Sequence, residues 1–156
     1  MSLKEKIESD LKAAMKLKDT VASGALRMVV AAVKNKEIDD VGIKKLKLGE
    51  SLDDAGVLKV IQTLAKQRQE SIDMFKKGGR DDLVQKETAE LALLERYLPS
   101  RMPEGEIEKI VAEAISQSGA AGMKDIGNVM KLVMPKTAGR ADGKLVNEIV
   151  RRKLAP

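Results

Sequence analysis

The segment from Pro135 to Lys144 has the residue types and spacing best suited to binding an anion. It contains two glycines, three cations and the start of a predicted helix. Backbone N–H groups and the positive end of a helix dipole favour a phosphate there. The three cations of the segment would add positive charge: Lys136, Arg140 and Lys144. In the alternative interpretation, Gly139 only provides a turn and Asp142 only caps the next helix.

The helix predicted over 143–154 has an apolar side and a basic side. The residues on the basic arc are Lys144, Glu148, Arg151 and Arg152. Such a ridge can follow a nucleic-acid backbone with little dependence on sequence, or it can simply be a solvated surface whose cations complement the helix dipole. The candidate RNA phosphate contacts are therefore Lys136, Arg140, Lys144, Arg151 and Arg152.

The composition excludes most enzyme chemistry. The chain has no His and no Cys, so the common triads, thiol nucleophiles and zinc sites are ruled out. General acid–base catalysis would require a carboxylate or lysine with a strongly shifted pKa. Phe75 and Tyr97 are the only aromatic residues, which disfavours RNA recognition by base stacking. We expect no catalytic residue, no cofactor and no metal, and the alternating carboxylates Glu104, Glu106 and Glu108 would not share a helix face.

Three polar residues interrupt apolar helix faces in the first half of the chain: Arg27, Arg68 and Glu87. Buried or half-buried ion pairs between packed helices commonly explain such residues. The turn at Gly78-Gly79 folds two predicted helices into a hairpin and brings Arg68 within about one helical turn of Glu87. We therefore predict a structural ion pair between these two side chains.

Apolar residues recur at helical spacing almost throughout, so the predicted fold class is all-α. Four helices are expected in an N-terminal domain over 1–98 and three in a small basic C-terminal domain over 99–156. The sixth helix, near 124–133, should stop before Pro135. We expect most methionines to fill the core.

Charge and hydropathy bear on the partners and the location of the protein. Residues 119–156 hold 8 basic and 3 acidic side chains, and this asymmetry attracts polyanions. The longest apolar run, Met28–Val33, is far shorter than the roughly 20 residues that a membrane span requires. The amino end also lacks an apolar signal segment. We therefore expect a cytoplasmic protein with no membrane partner.

Short motifs in a fixed order make the chain resemble the YqeY-like proteins of the GatB/YqeY domain family. The motifs in the first half are Leu26-Arg27-Met28, Lys66-Gln67-Arg68, Glu70-Ser71, Glu90-Leu91, Leu94-Glu95 and Tyr97-Leu98-Pro99. Those in the second half are Gly127-Asn128-Val129-Met130, Met134-Pro135-Lys136 and Gly139-Arg140-Ala141-Asp142-Gly143. The stretch Leu145-Val146-Asn147-Glu148-Ile149-Val150 resembles the last helix of the GatB tail domain, which belongs to the tRNA-dependent amidotransferase.

The resemblance implies a two-part helical fold and contact with tRNA, because that tail holds tRNA in the parent enzyme. It implies no catalytic residue in this chain. The leading hypothesis is an accessory protein that binds tRNA or another structured RNA. One alternative is a component of a glutamine-dependent amidotransferase, a carbon–nitrogen ligase acting on misacylated tRNA, or of a tRNA-synthesis complex. Another alternative is a protein-interaction adaptor.

Overall fold

The computed structural model describes residues 1–156 and is helical throughout. It contains seven α-helices, one short 3-10 helix and no strand, which confirms the predicted all-α class with four helices followed by three. The chain forms two compact units, Met1–Leu98 and Pro99–Pro156. None of the helices is both long enough and apolar enough to cross a membrane.

The first unit contains four helices, three of which begin at side-chain caps. They are α1 (Leu3–Lys16), α2 (Thr20–Gly42), α3 (Asp54–Lys77) and α4 (Asp81–Glu95). Ser2 and Glu5 form a reciprocal capping box at the start of α1. Asp19 and Asp53 accept backbone N–H groups at the starts of α2 and α3. These caps satisfy N–H groups that have no partner within the helix.

Aliphatic side chains form the core of the first unit. The largest fully buried members are Ile7, Val29, Val57, Ile61 and Leu94. Tyr97 packs against this core and donates its hydroxyl to the Asp10 carboxylate at 2.5 Å. Burial and this hydrogen bond raise the pKa of Tyr97 well above its usual value.

The prediction that methionines fill the core is wrong for several of them. Met28 and Met74 are 53% and 72% exposed, and Met123 and Met134 are also exposed. Only Met102 is buried. Small and branched aliphatic residues already fill the interior, so the long methionine side chains lie on the surface.

The second unit is a three-helix bundle. Its helices are α5 (Glu104–Ser118), α6 (Ile126–Thr137) and α7 (Gly143–Leu154), and a 3-10 turn at Met123–Asp125 precedes α6. Gly119 ends α5 with a φ of 66°, a conformation that suits glycine. The core is aliphatic and includes Ile107, Val111, Val133 and Ile149.

The expectation that the sixth helix stops before Pro135 is wrong, because Pro135 lies inside α6. Proline cannot donate a backbone hydrogen bond, and its ring crowds the preceding turn. The last turn persists because Ala138 N–H donates to the Met134 carbonyl at 2.9 Å. The buried Thr137 hydroxyl also donates to the Val133 carbonyl at 3.2 Å. Packing of Val133 and Thr137 thus outweighs the local effect of the proline.

Candidate functional site

Three of the four cations of α7, all except Lys153, lie on two different parts of its surface. At 100° per residue, Lys144 and Arg151 share one face and lie about 10 Å apart along the axis. Arg152 lies 100° further around the helix. The opposite side is buried through Val146 and Ile149. This helix register determines which cations can meet a carboxylate of the same unit.

Arg152 is paired with two carboxylates of α5. Its Nη2 atom lies 3.2 Å from Glu104 Oε1 and 3.0 Å from Glu108 Oε1. Glu104 and Glu108 are four residues apart, so both lie on the same face of α5. All three side chains are partly exposed. The two carboxylates therefore neutralise the positive charge of Arg152 locally.

Arg140 and Lys136 also face α5, in looser contacts. Arg140 Nη1 lies 3.8 Å from Glu106 Oε1, and its Nε donates to the Ser100 carbonyl at 3.3 Å. The Lys136 ammonium lies 4.0 Å from Glu113 Oε2. Three of the five candidate phosphate contacts thus have a carboxylate of α5 within ion-pair distance.

Lys144 and Arg151 have no carboxylate partner. Both are exposed, and Arg151 Nε donates to Asn147 Oδ1 at 2.7 Å. That bond uses the Arg151 Nε atom and joins the guanidinium to a residue of the same helix. Glu148 lies between the two cations on the same face and is also exposed. We call the surface formed by Lys144, Asn147, Glu148 and Arg151 the α7 face.

The turn between α6 and α7 uses most of its backbone N–H groups internally. Arg140 and Ala141 N–H donate to the Thr137 carbonyl at 3.0 and 3.1 Å. The Asp142 carboxylate accepts from Lys144 N–H at 3.1 Å and so occupies the start of α7. Gly139 has a φ of 80°, as the turn requires. This geometry corresponds to the turn-and-cap interpretation, in which the backbone provides few free donors for a phosphate.

The role of α5 is not apparent from the sequence. The carboxylates that neutralise Arg152 are 44 and 48 residues away in sequence, so no local pattern links them to α7. The four-residue spacing of Glu104 and Glu108 was the available signal. It marks a carboxylate pair that an arginine on a neighbouring helix can bridge.

The structure brings Arg68 and Glu87 together. Arg68 Nη1 donates to Glu87 Oε2 at 2.9 Å. The same atom also contacts the buried Glu90 carboxylate, which the sequence analysis did not single out. Arg68 itself is buried between α3 and α4. Arg27, grouped with these residues as a candidate for a buried pair, is instead exposed, because it lies off the buried face of α2.

No group of three or more Asp, Glu, His or Cys side chains in this structure is arranged so that it could hold a metal ion. Glu104 and Glu108 both contact Arg152, whereas Glu106 lies near Arg140. The three carboxylates therefore serve two different arginines.

These features define a small helical protein with two compact units, of which the second carries a cationic helix face. The chain belongs to the YqeY-like family, because the family model described as Yqey-like protein matches residues 4–154.

Curated relatives are fungal proteins named altered inheritance of mitochondria protein 41, mitochondrial. The chain is 39% identical to the protein from Eremothecium gossypii over 108 residues, which is 69% of this chain and 55% of that protein. It is 31% identical to the Meyerozyma guilliermondii protein over 126 residues, 77% of this chain and 62% of the relative. It is 32% identical to the Vanderwaltozyma polyspora protein, over 77% of this chain and 64% of the relative. The chain thus spans about three fifths of these relatives.

The expectation of a cytoplasmic location is wrong, because these relatives are named as mitochondrial proteins. That expectation rested partly on the search for an apolar signal segment. Such segments direct secretion. Mitochondrial transit peptides are amphipathic and rich in arginine and serine instead. An apolar segment is therefore no criterion for or against a mitochondrial location.

Proposed function

We propose that this protein is an accessory factor that binds structured RNA, with tRNA as the preferred class, through the α7 face. The observation that carries the proposal is that Lys144 and Arg151 share one exposed helix face and have no carboxylate partner. Phosphate contacts of this kind give affinity without reading sequence. The resemblance of the last helix to a tRNA-holding tail supports tRNA over other RNAs.

The five cations would not contribute equally. Lys144 and Arg151 can bind a phosphate without first losing an ion pair. Arg152 would have to exchange Glu104 and Glu108 for the RNA backbone, and this competition reduces its net contribution. Glu148 places a negative charge within the α7 face and lowers affinity further. The expected binding is therefore moderate and strongly dependent on salt.

We propose that the protein has no catalytic site of its own. Histidine and cysteine are absent. The most buried cation, Arg68, is held by two carboxylates. A place within an amidotransferase or tRNA-synthesis complex would be compatible with this accessory role, and the resemblance to the GatB tail is its support.

The test is a titration of the full chain with bulk tRNA and with a duplex RNA of similar charge, at two salt concentrations. The variant K144Q/R151Q removes two charges from the α7 face. The matched control K76Q/K86Q removes two exposed lysines from the first unit. We expect the first variant to lose affinity. The slope of log K against log salt should also become shallower by about two, because two phosphate contacts are lost. Equal effects of the two variants would contradict the proposal.

A protein-interaction adaptor is the second candidate, and exposed apolar side chains of the first unit favour it. Val21, Met28 and Ile38 are exposed on α2, and Met74 is exposed on α3. Exposed methionines can adapt to differently shaped partners. Co-purification of one protein partner without nucleic acid, lost in M74E and retained in K144Q/R151Q, would support the adaptor over RNA binding.

A further inference from the structure

The segment between α2 and α3 has an ordered tip over residues 43–50. Glu50 N–H donates to the Lys47 carbonyl at 3.0 Å, which closes a turn. Lys47 N–H donates to Glu50 Oε2 at 2.8 Å. Gly49 has a φ of 88°, as the third position of a type II turn requires.

Lys45 and Leu46 N–H both donate to the Asp40 carbonyl, at 2.8 and 3.1 Å. The tip is thus fixed by hydrogen bonds at both ends.

This ordered tip presents large aliphatic side chains to water. Leu48 is 93% exposed at the apex of the turn, and Ile43 is 71% exposed. Leu46 between them is half-buried. A flexible loop often exposes an occasional leucine, but Leu48 lies in a turn that two hydrogen bonds between Lys47 and Glu50 close. Such an arrangement costs free energy unless an apolar environment receives the side chain.

Positive charge surrounds these aliphatic residues. Lys44, Lys45 and Lys47 are all exposed, and none forms an ion pair. The acidic groups nearest in sequence are Asp39, Asp40 and Glu50, and the buried Asp40 carboxylate is paired with Lys36 at 2.8 Å. The Glu50 carboxylate is engaged by the backbone of Lys47, and Asp39 lies on α2 before the segment. The tip therefore combines protruding aliphatic groups with unpaired ammonium groups.

We propose that residues 43–50 dock onto the surface of an anionic lipid bilayer. Leu48 and Ile43 would enter the boundary between headgroups and acyl chains, and the three lysines would lie among the lipid phosphates. RNA would satisfy the lysines but would leave Leu48 in water, so the exposed leucine favours lipid. This surface contact does not require a membrane-spanning helix, and it revises the expectation that the protein has no membrane partner.

The expected loss of vesicle binding differs between the leucine and the lysine variants. Truncating a leucine that is buried in the bilayer should weaken binding about tenfold. Each lysine near an anionic membrane contributes about 1 kcal/mol, which is a factor of about five. Reversing two of these charges should therefore weaken binding at least about 25-fold.

The experiment is co-sedimentation of the full chain with vesicles of phosphatidylcholine alone or with added phosphatidylserine, at low and high salt. The variants are L48A and K45E/K47E. The matched control is L17A, since Leu17 is 81% exposed between two lysines at the other end of α2. A helix of 23 residues, about 35 Å long, separates the two sites. All substituted side chains are exposed, so the fold should be unaffected.

We expect salt-sensitive binding to the anionic vesicles that is weakened by L48A and K45E/K47E and unchanged by L17A. Equal loss in L17A and L48A would overturn the proposal, because binding would then reflect exposed leucines and lysines in general. Absence of vesicle binding would also overturn it. If K45E/K47E weakened tRNA binding and not vesicle binding, the segment would belong to an RNA surface instead.

Discussion

Arg151 and Arg152 are consecutive residues of α7, but only Arg152 is paired with carboxylates. Arg152 contacts Glu104 and Glu108 at 3.2 and 3.0 Å, whereas Arg151 contacts the amide oxygen of Asn147 at 2.7 Å. The 100° step between neighbouring helix residues produces this difference. It divides five similar cations into those neutralised within the unit and those available to a ligand.

Removing the carboxylates of α5 should strengthen RNA binding. In E104Q/E108Q, Arg152 has no charged partner and can contact phosphate without competition, so we expect affinity to rise by about fivefold or more at low salt. The ion pairs are partly exposed and contribute little stability, about 0–1 kcal/mol. Filter binding with tRNA measures the first effect, and thermal unfolding measures the second.

The control for this prediction is E70Q/D73Q, which removes two acidic residues from α3 in the first unit. It changes net charge by the same amount. If both double variants raised affinity equally, overall charge would explain the effect and the local competition would be refuted.

The buried cluster around Arg68 should be sensitive to loss of one member. R68M leaves the buried Glu90 carboxylate without its cation, and we expect a loss of about 3–5 kcal/mol in the free energy of unfolding. R68M/E90L, which removes both charges, should recover much of that loss. Urea unfolding monitored by circular dichroism gives these values.

Arg27 provides the comparison for the Arg68 cluster. It is exposed on α2, so R27Q should change stability by less than about 0.5 kcal/mol. A loss below about 1 kcal/mol in R68M would contradict the prediction that Arg68 and Glu90 form a buried ion pair.

Tyr97 offers a titration with a single reporter, because it is the only tyrosine and the chain has no tryptophan. Burial and the bond to Asp10 raise its pKa above the usual value of about 10. Its protonated form therefore adds stability that is fully present below about pH 10 and is lost as pH rises through the folded-state pKa. Ultraviolet absorbance should show phenol ionisation only well above about pH 10 while circular dichroism remains native.

D10A tests the cause of that shift. Removing the carboxylate should lower the pKa of Tyr97, which should still stay above its usual value because burial remains. Ionisation of Tyr97 near its usual pKa of about 10 in the folded wild-type protein would contradict the described contact.

The two units should fold independently. Each has its own aliphatic core, built around Ile61 and Leu94 in the first and Val111 and Ile149 in the second. We predict that a fragment of residues 99–156 is helical and unfolds cooperatively. A fragment lacking a cooperative transition would contradict this.

The sequence predicts local features well and distant contacts poorly. Helical periodicity and capping residues such as Asp53 and Asp142 depend on neighbours within one or two turns, so the order of the helices follows from them. The Arg68–Glu87 contact can be predicted from the sequence because a two-glycine turn joins the two adjacent helices. The pairing of Arg152 with Glu104 depends on how α5 and α7 pack, and no local rule contains that information. Pro135 shows the same limit, since tertiary packing extends α6 beyond it.

The most direct measurement is the affinity of R151Q and of R152Q for tRNA at low and moderate salt, with each variant carrying the same loss of charge. We predict that R151Q weakens binding severalfold and makes the slope of log K against log salt shallower by about one, because one phosphate contact is lost. R152Q should change both the affinity and the slope much less. If R152Q weakened binding as much as R151Q, or if neither variant changed it, the α7 face would not be the RNA-binding surface.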